Sequence, residues 1–432
     1  MSQQLHVGAY ETDTTPKLGT HLIGGFGPRP CVDVNDPLHA KAIALDNGDT
    51  RLALVTVDLC MAQRAQLDAA KRRIQERCGI PPQNVLISAT HTHTGPAAVS
   101  LLSVDIDDEY AAGLPAKIAD AVECALQRLQ PCELVHGSGQ VNQVFNRRWW
   151  MKDGTVRMNP GYQNPDLVRP AAAVDRALGV LAFRSPDQQP IAMYLNYSLH
   201  YVGSSPSDHV SADYFARVDN NLRRALGVRM AILSNGTCGD VNNCDYANPA
   251  PKQDFPNQKA IQVAAIVAAE AACVYHSSAP CNDTTLAGAL YELPVTRRQL
   301  DPAQLQADRE TVAGMDRMGP TRDEVYAFER LALAQEPIEQ KTWVQALRVG
   351  DVAIVGLPGE LFTELGLEIK AHAAMPATYC AELANDYVGY VATRKAFAEG
   401  SYELETARSS KLTVDAGPDM VQAALALIEQ LA

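Results

Sequence analysis

The chain has 432 residues, 47% hydrophobic and 20% charged, the make-up of a globular enzyme that can bury a sizeable core without a disulfide or metal merely to fold. Asp and Glu number 50 against 37 Lys and Arg, and the resulting formal charge of −13 repels phosphate backbones, so nucleic acid is excluded as an expected partner. The ten cysteines form no CxxC pair, and several, such as Cys60 and Cys124, lie in apolar runs, which reads as buried reduced thiols.

The first residues, MSQQLHVGAYETD, lack the basic and apolar regions of a signal peptide. No apolar stretch approaches the roughly 20 residues that span a bilayer. A soluble, cytoplasmic chain with no integral membrane segment is therefore expected, acting on a small-molecule substrate. A Pro- and Gly-rich loop over 15–36 precedes a buried strand at 51–59 and a helix at 65–77. A strand at 84–90 and a helix at 109–129 follow, then a Trp-, Asn- and Pro-rich surface loop at 145–170. Strands at 190–198 and 229–235 flank a helix at 210–225, and a further loop covers 240–256. The helix at 257–275 is apolar most of the way round, which predicts burial between layers. Helices at 302–315 and 322–335, a strand at 351–358, and helices at 361–373 and 418–431 complete the pass.

The strands are Val-, Ile- and Leu-rich without clean alternation, so both sheet faces should be covered. Strands interleaved with helices then predict a layered α/β to α+β fold, a sheet core with helices on its faces. No internal repeat, low-complexity tract or linker is visible, so 1–432 reads as one domain.

Three of the strands run into residues that bind metals. NVLISAT leads into HTHTGP, placing His91 and His93 at a strand end, where i and i+2 of an extended chain face one cavity. PIAMYLNYSLH ends on His200, and DVAIVGLPGE ends on Glu360. Open sheets bind ligands at the carboxyl ends of their strands. Two histidines with one carboxylate form a catalytic zinc complement, although the same set suits ferrous iron, and strand-end residues also simply meet solvent. A fourth run, RMAILSN, leads into GTCGDVNN, where Gly236 and Gly239 permit close backbone approach to a bound group. Asp240 there either orients a ligand or caps the turn, and Cys238 with Cys244 is a competing metal pair.

ISATHTHTGP resembles the His-Thr-His-Ser-Gly-Pro segment of the neutral (non-lysosomal) ceramidase family, with Thr94 in the Ser position. The resemblance continues in order along the chain. FNRRW around Arg147 is similar to the family's Asn-Arg-Ser segment, and LNYSLH to its second metal-histidine strand. SNGTCGDVN resembles its Ser-Asn-x-x-Gly-Asp-Val-Ser-Pro loop, with Asn242 and Asn243 in place of Ser and Pro. RVGDVAIVGLPGE is similar to the segment carrying its metal glutamate, and NDYVGYVAT followed by SYELE to its paired-tyrosine segment.

The resemblance implies one Zn²⁺ per chain, held by His91, His200, Glu360 and Tyr390. It implies that His93, Arg147 and Tyr402 surround a scissile carbonyl in a neutral-ceramidase-like catalytic domain that hydrolyses an N-acyl amide. A carbohydrate-active or lactone/ester hydrolase on the same scaffold is the alternative, and a non-catalytic binding protein is a third class. The family's secretion signal and C-terminal immunoglobulin-like domain are not expected in this chain. Arg148, Trp149 and Trp150 replace a Ser-Pro turn after Arg147; the two Trp either stack on a sugar face or serve as core or lid residues, and the altered loop favours a small polar N-acyl or sugar-derived substrate over long-chain ceramide.

Overall fold

Three sheets carry the fold in the computed structural model, which describes residues 4–203 and 205–432. In the first, Val85–Ala89 pairs in parallel with Arg51–Val57, and His39–Asp46, His6–Asp13 and the short Gln130–Pro131 continue antiparallel. In the second, Met230–Asn235 is parallel to Pro190–Tyr197, followed by Ala177–Arg184, Glu133–Gln140 and Pro280–Cys281. In the third, Ala377–Ala381 is parallel to Val352–Gly356, followed by Glu339–Val349 and Leu286–Thr296.

A parallel pair requires a crossover, and each sheet has a helix supplying it. These are α1 (Arg64–Cys78), α3 (Asp213–Leu226) and α5 (Thr363–His372). A second helix covers each sheet beside the crossover: α2 (Asp108–Leu126), α4 (Gln258–Ser277) and α6 (Ala416–Leu431). The chain therefore repeats one unit three times, with three antiparallel strands, a crossover helix, a parallel fourth strand and a covering helix. This corrects the reading that no internal repeat exists. The repeat lies in topology, and the sequence does not display it because any apolar residue of suitable volume fills a core position.

Alternation survives inside the strands once both faces are seen to be buried. Leu52, Leu54, Leu86, Ala192, Tyr194, Met230, Ile232, Val352 and Ile354 point into a core shared by all three sheets. Their neighbours point outward to the helices: Ala53, Val55 and Ile87 to α1 and α2, Met193 and Leu195 to α3 and α4, Ala353 and Val355 to α5 and α6. Every residue of Val85–Ala89 and of Val352–Gly356 is buried, which is why these runs read as continuous.

The layered α/β-type fold is as expected, with three corrections. Helix α4 is not enclosed between layers: Val263, Ala264, Val267 and Ala271 pack inward, while Ile261 and Ile266 are exposed. Among the described residues α4 is also long and apolar enough to cross a membrane by length and composition, which qualifies the reading that no such stretch exists. The 145–170 segment is not simply a loop. It forms a small sheet of Arg148–Met151, Val156–Met158 and Leu167–Pro170, with Gly154 at φ +80° in the turn.

Candidate metal centre and active site

The carboxyl ends of the three parallel pairs meet at one place, and hydrogen bonds join them in a ring. Asn235 Nδ2 donates to Thr90 O at 2.9 Å, Glu382 N to Asn235 O at 3.1 Å, and Ala89 N to Leu383 O at 3.1 Å. Each bond links a different pair of units. His91, His200 and Glu360 stand at this junction, one from each unit, and all three are buried.

His91 reaches it by an unexpected backbone. Its φ is +67°, so the segment is not extended there and the i, i+2 argument does not apply. The His91 and His93 rings nonetheless lie 4.8 Å apart, edge to face, with His200 4.4 Å from His91 and 5.0 Å from His93. His91 Nδ1 donates to Cys60 O at 2.8 Å, which fixes the tautomer and leaves Nε2 as a lone-pair donor facing Glu360 Oε2 at 3.4 Å. His200 Nδ1 lies 3.7 Å from the same oxygen. Both are loose ion-pair contacts, and Glu360 Oε2 is buried with no hydrogen-bond partner. An orphaned carboxylate oxygen facing two imidazole nitrogens fits a bound cation, and the three residues form one compact group of potential metal ligands.

The other Glu360 oxygen, Oε1, accepts from Tyr387 OH at 2.9 Å. Burial opposes ionisation of Glu360, but His91 and Arg147 hold its pKa below the ordinary carboxylate value. Tyr390 is buried beside the cluster, and its hydroxyl accepts from Arg147 Nη2 at 3.0 Å. Burial holds the Tyr390 phenol well above its usual pKa while Arg147 pulls the other way. Arg147 Nη1 is 3.2 Å from His200 Nδ1, Nε donates to Glu403 Oε1 at 2.8 Å, and Nη2 also donates to Gly239 O at 2.8 Å. Burial works against that charge, yet Tyr390 and Glu403 keep its pKa raised.

His93 is half-buried, with Nε2 3.0 Å from His200 Nε2 and 3.4 Å from His91 Nε2. Its backbone is clamped, since its N–H donates to Asp213 Oδ2 at 3.3 Å and its carbonyl accepts from Arg29 at 2.9 Å. A Cβ on Gly24 would sit 2.7 Å from the His93 Cα, so glycine is needed for the 20–30 loop to close over it. Tyr402 is half-buried with its ring 6.0 Å from that of Tyr390, and burial pushes its hydroxyl pKa up to about 12.

The structure thus brings together all seven residues singled out in the sequence, and it decides the open readings nearby. Asp240 neither faces the metal cluster nor closes its own turn: its carboxylate holds the first residue of the Thr363–His372 helix, accepting from Thr363 N and Oγ1 at 2.8 Å each, and accepts from Asn146 Nδ2 at 2.9 Å. Gly239 makes the expected close approach, but to protein, because a Cβ there would meet Glu360 O at 2.4 Å. Cys238 Sγ donates to Glu382 Oε1 at 2.7 Å and forms no metal group with Cys244. Trp149 is buried against Met151 and Tyr246 with Nε1 donating to Asn146 O, so it packs a small core and does not offer a stacking face. Tyr387, Glu403 and the Cys60 carbonyl escaped the sequence reading. The first two lie inside motifs already quoted, three residues before Tyr390 and one after Tyr402, while a backbone carbonyl leaves no sequence signal.

No protein-family model matches the chain. A neutral ceramidase of Pseudomonas aeruginosa is 25% identical over 181 residues, 40% of this chain and 26% of that protein. The chain thus matches about a quarter of the length of that curated relative. The crystal structure of neutral ceramidase from Pseudomonas aeruginosa matches with a TM-score of 0.76 at 18% identity, covering 100% of this chain and 75% of that one. A ceramidase complexed with C2 gives the same TM-score of 0.76 at 18% identity, covering 99% and 76%. In fold, the chain is a neutral ceramidase-like domain.

Proposed function

We propose that this chain is a zinc-dependent hydrolase that cleaves the amide bond of an N-acyl substrate, with 1–432 acting as one catalytic domain around a shared core. The observation that carries the proposal is the convergence of His91 and His200 on a buried Glu360 carboxylate oxygen that has no hydrogen-bond partner. The likeness to neutral ceramidases supports amide-bond hydrolysis of the ceramidase type. His91, His200 and Glu360 would hold the zinc, with Tyr390 as the fourth donor. Bound there, zinc supplies a Lewis acid and activates water at neutral pH.

The remaining work falls to the chain's own side chains. Arg147 is a buried full charge held by Glu403 and Gly239 O beside Tyr390 and His200, so its positive charge sits next to the proposed ligands and favours negative charge developing there. Tyr402 keeps its proton at neutral pH, so its half-buried hydroxyl is available as a donor to a bound carbonyl. His93 is the most accessible of the three imidazoles, which suits it to take a proton from water and return it to the leaving amine. Glu360 is kept ionised by His91 and Arg147 and oriented by Tyr387.

The test is a side-by-side assay of long-chain ceramide, short N-acyl amides, N-acyl amino sugars, esters and sugar lactones at equal concentration. Release of carboxylic acid from N-acyl amides is expected. His93→Ala should retain its metal and lose roughly 100-fold or more in kcat. Turnover of lactones or esters with no amide cleaved would reject the proposal.

A further inference from the structure

At the far end of the core a second set of donors meets. His136 on Glu133–Gln140, Cys281 on the edge strand Pro280–Cys281, and Asp351 in the turn before Val352–Gly356 place ligand atoms within 4.8 Å of one another. Asp351 enters the strand whose other end leads to Glu360, and five residues of strand at about 3.3 Å each set the two ends roughly 17 Å apart. The trio is therefore separate from the site described above.

The geometry around it is built. His136 is two residues from Leu134, which points into the shared core, so it faces inward at the edge of that core. Among the described residues, no hydrogen bond engages its ring. Cys281 pairs with Leu134 across the ladder, and its Sγ lies 3.3 Å from Asp351 Oδ2 and 3.5 Å from Asp283 O. Gly350 has φ +58°, and a Cβ there would lie 2.6 Å from Asp283 O and 3.2 Å from Cys281 Sγ, so only glycine brings Asp351 against the thiol. The turn is locked by Gly350 N donating to Thr285 O at 2.9 Å, and by Arg348 donating to Asp283 Oδ2 at 2.9 Å and Gly350 O at 3.1 Å.

We propose that His136, Cys281 and Asp351 form a second divalent-metal site, a thiolate, imidazole and carboxylate set suited to zinc with a fourth position left to water. The donor set follows zinc's preference for S, N and O ligands in tetrahedral array. As the metal–sulfur bond forms, the Cys281 thiol releases its proton to solvent, so binding strengthens as pH rises. Because His136 and Cys281 belong to the second sheet and Asp351 to the third, the ion ties two units together at the end opposite the catalytic junction.

The experiment uses the whole protein, stripped of metal, reloaded with Zn²⁺ and desalted. Wild type should retain two equivalents, and Cys281→Ser and His136→Ala one each with hydrolase activity unchanged. His91→Ala should lose activity and still keep one. With Co²⁺ replacing zinc, His91→Ala should show a thiolate-to-cobalt band in the near ultraviolet, and the His91→Ala, Cys281→Ser double variant should lack it. His91→Ala is the background because the Cys60 Sγ near that ring is the competing thiol. A single equivalent in wild type that disappears in His91→Ala, or a cobalt band indifferent to Cys281, would overturn the second site. Failure of the catalytic-zinc reading is distinguishable, since it removes the other equivalent and leaves this one in place.

Discussion

Tyr387 shows how a single hydroxyl organises the cluster of candidate metal ligands. Its bond to Glu360 Oε1 leaves only Oε2 facing the two histidines, and loss of such a supporting contact typically costs 10–100-fold in metal affinity. Tyr387→Phe should therefore bind zinc roughly 10-fold or more weakly in a competition titration, with the fold unchanged by circular dichroism. Affinity equal to wild type would show that Glu360 is held by its backbone alone. At this scale the sequence was informative about donors and silent about their supports. His91, His200 and Glu360 were legible because each follows an apolar strand. The left-handed backbone at His91 and its bond to the Cys60 carbonyl were not, since they depend on how the chain between strand ends closes.

Elements were legible to the degree that their burial was uniform. The strands buried on both faces stood out as apolar runs, whereas Leu286–Thr296 buries only Leu286, Ala289, Leu293 and Val295 at uneven spacing and drew no notice. The small sheet after Arg147 was hidden by its Trp, Asn and Pro content, which reads as loop until Arg148–Met151 is seen to pair on both sides. Strand ends also carry buried charge. Asp58 closes Arg51–Val57 by accepting from His39 N at 2.9 Å, and burial raises its pKa from 3.8 to about 7, with Lys41 opposing. Since the folded-state pKa lies above the unfolded one, the neutral carboxyl's stabilisation is complete below about pH 4 and is lost as pH rises through about 7. Asp58→Asn should remove that slope, so its stability relative to wild type should increase between pH 4 and pH 8 in urea denaturation. A constant difference across that range would mean that Asp58 is ionised in the folded protein throughout.

Across the whole molecule, three copies of one topological unit close on a shared core and join at the carboxyl ends of their parallel strands. This accounts for donors so distant in sequence: His91 follows the fourth strand of the first unit, while His200 and Glu360 follow the third strand of the second and third. The site needs all three units, so a lesion in any one should reach it. The likeness to neutral ceramidases extends over the full length of this chain in structure. Zinc and amide chemistry are proposals built on that shared junction. The central claim is that the His91, His200 and Glu360 junction holds the catalytic zinc. Elemental analysis and N-acyl amide hydrolysis measured together on Cys281→Ser protein test it most directly, because that variant isolates the junction from the second site. One zinc per chain is predicted, removed by a chelator together with activity, restored by added zinc, and absent from the Cys281→Ser protein that also carries His200→Ala. Full activity after chelation with no stoichiometric metal bound would contradict the account.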